Sequence, residues 1–176
     1  MREIAKLGLK LLLIAAVAGL ALGGVYVITA KPIAEQTIAA QNSARQTVLP
    51  DAVSFEQDGD FYKGLDADGN IIGYCTARIT KGYGGDIEVT VGANLDGVIT
   101  GVSIGGENFS ETASLGARAK EPWFWEQFIG KTGKIAIAKD GGDIGAISSA
   151  TITSRAVTNC VNSTLEELIG YMEGGN

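Results

Sequence analysis

A run of twenty consecutive uncharged residues, positions 11–30, constrains this chain more than any other feature. The run, LLLIAAVAGLALGGVYVITA, is predominantly apolar. A helix rises about 1.5 Å per residue, so twenty residues match the roughly 30 Å hydrocarbon core of a bilayer. The sequence therefore predicts one transmembrane helix over residues 11–30. The alternative, a cleaved signal peptide, is less favoured because the run is longer than the usual apolar core of such a peptide.

The charges on either side of this run predict its orientation. Arg2, Lys6 and Lys10 precede the run, whereas only Lys31 follows it closely. Basic residues are retained on the cytoplasmic side of a membrane. Residues 1–10 are therefore predicted to be cytoplasmic, and the rest of the chain extracytoplasmic, anchored in the cell (inner) membrane by a single pass.

Residues 31–176 are acidic. They contain 11 basic and 19 acidic side chains, a net charge of −8. This balance repels the phosphates of nucleic acids and of anionic lipid headgroups, so it argues against either as a partner of this part of the chain. Its length suffices for one domain with its own core.

A helix, a sheet and a second helix are predicted after the apolar run. Residues 31–50, rich in Ala and Gln, are predicted to form a stalk helix that ends near Pro50. Short β-prone segments separated by turn signals then predict an antiparallel meander, and periodic apolar residues predict a C-terminal helix. Residues 51–176 are thus predicted to form one α+β domain. The β-prone segments are FYKGL, NIIGYCTARI, DIEVTVGA, VITGVSI and KIAIA, and the apolar helix positions are Val157, Cys160, Val161, Leu165, Leu168, Ile169 and Met172.

Two turns of the meander repeat one pattern. Asp68-Gly69 and Asp96-Gly97 each begin the sequence Asp-Gly-x-Ile-x-Gly, which ends at Gly73 and at Gly101. Asp-Gly favours a tight hairpin turn, so an internal hairpin repeat is predicted. Residues 66–70 also resemble a calcium loop, but they lack the remaining ligands of an EF-hand, and the hairpin interpretation is favoured.

Residues 122–143 are predicted to add a short helix and a turn. Pro122 is suited to the first position of a helix, and Phe124 and Phe128, four residues apart, then share one face. These aromatic residues are predicted to belong to the core. Asp140-Gly-Gly-Asp143 is predicted to form a turn before the last helix.

The absence of histidine excludes Ser-His-Asp triads, Cys-His dyads and the common zinc sites. Cys75 and Cys160 lie far apart in the sequence, which argues against a metal site held by cysteines. Buried free thiols are the favoured interpretation, with a disulfide left open. No metal ligands and no independent catalytic site are predicted, so difficult chemistry would have to come from a bound cofactor.

A segment rich in Ser and Thr, residues 146–154, precedes the C-terminal helix. Thr153 or Ser154 is predicted to cap the first backbone N–H groups of that helix. The positive end of the helix dipole can also hold a phosphate. From the residues alone, a simple helix cap and a phosphate site both remain open.

The same segment carries a family resemblance. Ser148-Ser149-Ala150-Thr151, followed by Ile-Thr-Ser, resembles the S(T)GAT motif of the FMN-binding domain family. That family includes the G subunit of Rnf ion-translocating electron-transport complexes and the C subunit of the sodium-translocating NADH:quinone reductase. The resemblance implies that Thr151 is joined to FMN through a phosphoester, formed by a dedicated flavin transferase.

Further segments resemble the family in the same order along the chain. Residues 82–102 resemble its glycine-rich strand pair, residues 111–116 (ETASLG) its ETPGLG segment, and residues 124–131 the aromatic helix that follows. The resemblance implies that Glu111, Thr112, Leu115 and Gly116 lie near the isoalloxazine and that Ser148 and Thr153 lie near the phosphate. From the residues alone, other places stay open: a solvated loop carboxylate for Glu111, core packing for Leu115, and for Tyr83 either stacking on a ring or covering the core.

The chain departs from the family pattern in three places, one of which is the Asp usually found two residues before the motif: this chain has Gly145-Ala146 there, and its Asp143 lies further upstream. Ser149 replaces the glycine of the motif, and Ala113 and Ser114 replace Pro-Gly. A Cβ at Ser149 matters if the backbone φ angle there is positive.

The resemblance implies a membrane-anchored flavoprotein subunit of an Rnf-type complex. Such a protein relays electrons between reduced ferredoxin and NAD, coupled to Na⁺ or H⁺ movement, together with membrane and iron–sulfur or flavin subunits. Two alternatives stay open: the equivalent subunit of the quinone reductase, and a membrane-anchored binding module without a cofactor.

Overall fold

The computed structural model describes residues 2–174, which divide into two compact units between Gln41 and Asn42. One long helix, α1 (Arg2–Val48), contains the apolar run and the predicted stalk. Among the described residues, α1 is the one helix long and apolar enough to cross a membrane. It ends two residues before Pro50, as predicted, because the residue before a proline disfavours helical backbone.

A five-stranded antiparallel sheet follows α1. Its strands lie in sequence order, so the predicted meander is confirmed. Strong β-formers fill the two longest strands, β3 and β4, whose pairing runs without interruption from Gly73↔Asn94 to Lys81↔Asp86. The strands are β1 (Ser54–Asp58), β2 (Phe61–Leu65), β3 (Ile71–Lys81), β4 (Asp86–Asn94) and β5 (Ile99–Gly105).

The predicted hairpin turns are present at both repeats. Gly69 and Gly97 have φ angles of 82° and 72°, which glycine adopts without steric cost. The Asp66 carboxylate accepts hydrogen bonds from the backbone N–H groups of Asp68 and Asn70, at 2.9 and 2.8 Å. These contacts support the hairpin interpretation of residues 66–70.

The prediction of a strand in KIAIA, residues 134–138, is wrong. Ile135 and Ile137 are buried, which explains the alternating pattern. Their backbone, however, has no neighbouring strand: the N–H of Ile135 donates to Asn162 Oδ1 (2.6 Å), and Ile137 forms an isolated bridge with Ile144. A short 3₁₀ helix, Ala138–Asp140, begins directly after the bridge, and the predicted turn follows it.

The main core lies between the sheet and the C-terminal helix, α3 (Thr151–Gly174). Five of the seven predicted apolar positions of α3 are buried, and Ile169 and Met172 are partly buried against them. Helix α2 (Pro122–Trp125) begins at Pro122 as predicted. Phe124 and Phe128 are fully buried in this core, which confirms their predicted place.

The end of α1 packs on the opposite side of the sheet, where glycines make room for it. A Cβ on Gly92 or Gly101 would overlap the backbone of Val48, and a Cβ on Gly73 would press against Leu49. The last glycine of each hairpin repeat thus lies beneath α1. Gly64 of β2 also faces Leu49.

The two cysteines lie in different clusters. Cys75 is buried with Val48, Leu49 and Ala52, whereas Cys160 belongs to the main core. Neither forms a disulfide among residues 2–174, in agreement with the prediction of buried free thiols. Burial raises the pKa of the Cys75 thiol to about 12 and also raises that of Cys160.

Candidate functional site

A cavity of about 400 Å³ opens where three separate parts of the chain meet. These are the glycine-rich turn between β3 and β4, residues 111–116, and the first turn of α3. The volume falls in the range of small-molecule and cofactor sites. The lining residues are Tyr83, Glu111, Thr112, Leu115, Gly116, Ser149, Ala150, Thr151, Ile152 and Thr153.

The structure therefore brings together seven of the eight residues singled out from the sequence. Ser148, the eighth, is exposed in the turn before α3 and is not part of the lining. Tyr83 is 75% exposed, so it lies over the cavity and does not cover the core. Leu115 is 36% exposed and borders the cavity, which excludes a purely core-packing place for it.

Glu111 connects all three walls of this cavity. Its Oε1 accepts a hydrogen bond from the N–H of Gly84 (2.8 Å), and its Oε2 accepts one from Thr153 Oγ1 (2.9 Å). A Cβ at Gly82 or Gly116 would overlap a Glu111 carboxylate oxygen. The glycines on either side thus allow the carboxylate to lie between the walls, and Glu111 is not a solvated loop residue.

Thr151 is the first residue of α3 and lies half-buried in the cavity wall. Its Oγ1 accepts a hydrogen bond from Lys139 Nζ at 3.3 Å. The first N–H groups of a helix lack intrahelical acceptors, and the dipole places partial positive charge there. Thr151 therefore combines a hydroxyl with two sources of positive charge, the arrangement that favours a phosphate.

The predicted capping residues lie elsewhere. Thr153 and Ser154 were expected to precede the helix, but α3 begins at Thr151, so both are in its first turn. Thr153 is fully buried and donates to Glu111, and Ser154 is fully buried beneath the preceding turn. Periodicity could not locate this start because the apolar positions of the helix begin later, at Val157.

The turn before Thr151 contains an unusual backbone conformation. The N–H of Ala150 donates to the carbonyl of Ile147 (3.0 Å), which closes a four-residue turn. Ser149, its third residue, has a φ angle of 62° and is the only non-glycine residue among residues 2–174 with a positive φ. A positive φ at this turn position favours glycine, so the departure from the family motif falls where a side chain is conformationally costly.

Sequence reasoning missed the charged side chains beside Thr151. Lys139 follows an apolar segment and carried no signal of its role. Its neighbour Asp140 forms a bidentate ion pair with Arg155, at 2.6 and 2.8 Å. The Arg155 guanidinium holds the pKa of the Asp140 carboxyl below its usual value. Lys139, next to this ion pair in the sequence, donates to the Thr151 hydroxyl.

Gln127 fixes the chain upstream of the turn, and sequence reasoning missed it as well. Its Oε1 accepts a hydrogen bond from the N–H of Gly145 (2.6 Å), and its Nε2 donates to the carbonyl of the same residue (3.3 Å). The Gln127 amide thus accepts from the N–H and donates to the carbonyl of one residue, as a paired residue of a neighbouring β-strand does. They tie the segment before the turn to the aromatic segment that begins at Pro122.

The groups around the Thr151 hydroxyl are suited to binding a ligand. The hydrogen-bond partner of the Thr151 hydroxyl is an ammonium group, which donates and cannot accept a proton. In residues 2–174 there is no group of three or more His, Cys, Asp or Glu suited to a metal ion. The arrangement is therefore suited to holding an anion at the hydroxyl.

Comparisons with known families match two parts of the chain. Residues 82–166 match the FMN-binding domain, and residues 1–48 match the RnfG N-terminal region. The first match includes every residue that lines the cavity, and the second ends with α1.

Two similar proteins align with almost the whole chain. The G subunit of the Na⁺-translocating ferredoxin:NAD⁺ oxidoreductase complex of Acetobacterium woodii is 37% identical over 92% of this chain and 89% of its own. The G subunit of an ion-translocating oxidoreductase complex of Methanosarcina acetivorans is 33% identical over 94% of both.

Solved structures share the fold. The C subunit of the Na⁺-translocating NADH-quinone reductase of Parabacteroides distasonis superposes with a TM-score of 0.51 at 23% identity, over 64% of this chain and 61% of that one. NqrC of Shewanella oneidensis gives a TM-score of 0.53 at 18% identity, over 74% of both. At these identities the likeness concerns the fold alone.

Proposed function

We propose that this chain, which belongs to the family of G subunits of Rnf-type ion-translocating oxidoreductase complexes, is their membrane-anchored FMN subunit. In this function it relays electrons within a complex that couples electron transfer between ferredoxin and NAD to ion translocation. The apolar part of α1 is the membrane anchor, and the FMN-binding domain carries the cofactor.

The cavity at the start of α3 carries this proposal. It brings together Tyr83, four residues of the segment 111–116 and residues 149–153, three parts of the chain far apart in the sequence, with Thr151 among them. Its volume leaves room for a flat ring, and the exposed Tyr83 and Ile152 provide apolar surface for that ring. Thr151 and Lys139 provide a polar end. An amphipathic cofactor with a planar ring and a phosphate fits both features.

The covalent link is the finer part of the proposal. The Thr151 Oγ1 forms a bond to the flavin phosphorus, the phosphoanhydride bond of a flavin dinucleotide donor breaks, and the threonine proton passes to the departing nucleoside monophosphate. A flavin transferase performs this step, since the hydrogen-bond partner of the Thr151 hydroxyl is the Lys139 ammonium group, which cannot accept its proton. The product phosphodiester keeps one negative charge, which Lys139 and the start of α3 stabilise.

FMN supplies reversible one- and two-electron transfer when it is bound. The protein residues provide its position. Thr151 tethers the phosphate end, Tyr83 and Leu115 flank the apolar part of the cavity, and Glu111 holds the walls together. The exposure of Tyr83 and Ile152 leaves one side of the cavity open.

The proposal includes an orientation. Residues 1–10 are cytoplasmic, residues 11–30 span the cell membrane once, residues 31–50 form the stalk, and residues 51–176 are extracytoplasmic. The basic residues before the apolar run support this arrangement. The partners are the membrane and iron–sulfur or flavin subunits of the complex, and the flavin transferase during maturation.

Replacement of Thr151 tests the attachment. The full chain is produced together with a flavin transferase, extracted in detergent, and analysed by intact mass and by mapping of residues 140–165. The unaltered chain should gain the mass of FMN minus water on Thr151, and Thr151→Ala should gain none. The matched control is Ser148→Ala, which removes an exposed hydroxyl from the same turn and should load fully.

The outcomes separate the remaining alternatives. Flavin on Thr151→Ala would overturn the assignment of the modified residue. An unaltered chain that stays free of flavin in the presence of the transferase would return the domain to a membrane-anchored binding module. Co-purification of the subunits of a quinone reductase in place of those of an Rnf-type complex would overturn the proposed assembly.

A further inference from the structure

Ser154 lies directly beneath the turn that precedes Thr151. It is fully buried, and both functions of its hydroxyl are used. The oxygen accepts a hydrogen bond from the N–H of Ile147 (2.9 Å), and the hydroxyl donates to the carbonyl of Ala150 (2.9 Å). One side chain thus contacts the first and the last residue of the four-residue turn.

We propose that Ser154 is a positioning residue that holds the turn Ile147–Ala150 in the conformation that presents Thr151 for flavin attachment. This inference rests on the proposed function, because it concerns the step in which Thr151 Oγ1 gains the flavin phosphate. Ser154 does not touch the reacting atoms. It acts through the backbone of Ile147 and Ala150.

The conformation of Ser149 explains why such a constraint is needed. Its φ angle of 62° is unfavourable for a residue with a Cβ, so the turn has an intrinsic tendency to relax. The turn has one internal hydrogen bond, from Ala150 to Ile147. The Ser154 hydroxyl adds two more, at Ile147 and Ala150, the first and last residues of the turn, and these oppose the relaxation.

The position of Thr151 depends on this turn. Thr151 follows Ala150 directly, and the N–H of Ser154 also donates to the Ala150 carbonyl (3.0 Å) as the first helical hydrogen bond of α3. Any relaxation of the turn therefore moves the start of the helix. It would also move the Thr151 hydroxyl away from Lys139 and from the cavity, and small misplacements of a reacting group reduce rates strongly.

Another buried hydroxyl of α3 provides a matched comparison. Within the described part of the chain, Thr158 Oγ1 is buried without a hydrogen-bond partner. Thr158 belongs to the same helix and is as buried as Ser154. Loss of the Thr158 hydroxyl breaks no hydrogen bond, whereas loss of the Ser154 hydroxyl leaves the N–H of Ile147 buried and unpaired.

The experiment measures the initial rate of flavin attachment to the full chain in detergent, with the transferase and a flavin dinucleotide supplied. Ser154→Ala should slow attachment about tenfold or more, because the lost contacts to Ile147 and Ala150 no longer hold the turn. Thr158→Val removes a buried hydroxyl without creating a cavity, and should load at the rate of the unaltered chain.

A second substitution distinguishes positioning from general stability. In Ser149→Gly/Ser154→Ala the turn adopts its positive φ without cost, so the attachment rate should return to within about twofold of the unaltered chain, even though no hydroxyl is restored at position 154. Tryptophan fluorescence during urea unfolding reports domain stability in each variant, because Trp123 and Trp125 both lie in α2.

Each result has one meaning. Attachment to Ser154→Ala at the unaltered rate would overturn the proposal, as would a slow Ser154→Ala that Ser149→Gly fails to rescue. A Thr158→Val variant as slow as Ser154→Ala would show a general effect of the helix and would also overturn it. Failure of the unaltered chain to take flavin, or flavin on Thr151→Ala, would instead reject the attachment itself.

Discussion

Two regions of the domain differ in how they meet a requirement for glycine. Beneath the end of α1, each of the strands β2 to β5 places a glycine where a Cβ would press against residues 47–52. In the turn before Thr151, Ser149 holds a backbone conformation that favours glycine. In the first region a Cβ is excluded by close packing. In the second, space is available and the conformation is maintained by hydrogen bonds to Ser154.

Each region also borders a cavity, and the two cavities differ in volume and in the polar groups that line them. The cavity beside the end of α1 is the larger, at about 510 Å³ against about 400 Å³ at Thr151. Three of its polar side chains are engaged within the local fold: Asp66 and Asn94 accept from their own turns, and Thr100 donates to Val48. At Thr151 a hydroxyl that accepts a hydrogen bond from Lys139 borders the cavity, so the available chemistry and not the volume distinguishes the candidate functional site.

The largest effect is expected from a side chain beneath α1. Gly92→Ala places a Cβ against the backbone carbonyl of Val48, which cannot rotate away. The cost of overpacking should lower the free energy of unfolding by about 2–3 kcal/mol. Urea unfolding of the full chain in detergent, followed by tryptophan fluorescence, measures this loss.

Cys75 and Gly170 provide the controls for that experiment. Cys75 lies in the same cluster as Val48, so Gly92→Ala should speed its reaction with a thiol reagent, while Cys160 in the main core should be unaffected. Gly170→Ala, on an exposed part of α3 with no atom near the new Cβ, should raise stability by up to about 1 kcal/mol. A stable Gly92→Ala with an unreactive Cys75 would contradict the close packing beneath α1.

Much of the fold was predictable because its signals are local. The Asp-Gly turns, the β-branched runs of β3 to β5 and the periodic residues of α3 each specify their own element. The strand expected at residues 134–138 was wrong for a physical reason. Alternating burial of Ile135 and Ile137 is visible in the sequence, but the absence of a pairing strand depends on tertiary contacts such as that from Asn162.

The site was predictable as a set of residues and not as a geometry. Family resemblance singled out Thr151, Glu111 and their neighbours, and the fold brings them to one cavity. The roles of Lys139, Gln127 and Ser154 depend on contacts between residues four to 18 positions apart, through irregular backbone. Periodicity and propensity contain no information on such contacts.

A smaller effect, an increase in the free energy of unfolding, is expected from a substitution in the turn before Thr151. Ser149→Gly removes the cost of a left-handed conformation, and the gain should exceed the entropy that glycine loses on folding. The free energy of unfolding should rise by about 1 kcal/mol. Ser148→Gly, one residue earlier and without a positive φ, should lower it by about 0.5–1 kcal/mol. Equal effects at both positions would contradict the strained conformation of Ser149.

The smallest effect concerns pH and separates the two regions again. The end of α1 is held by apolar contacts and by hydrogen bonds that involve the Thr100 hydroxyl and the Gln46 amide, which do not titrate in this range. The segment beside Thr151 is instead tied to α3 by the exposed ion pair of Asp140 and Arg155. Arg155 lowers the pKa of Asp140 from its ordinary value of 3.8, so the pair contributes stability above that value and loses it as the pH falls through the lower, folded-state pKa. Asp140→Asn should therefore be slightly less stable than the unaltered chain at pH 7, and the difference should shrink below pH 3.8 and vanish below the folded-state pKa.

Asp51→Asn, beside the end of α1, should show no such convergence, because within residues 2–174 no ion pair joins Asp51 to α3. Thermal unfolding of both variants across this range measures the contrast, and parallel pH profiles would show that Asp140 does not hold the segment.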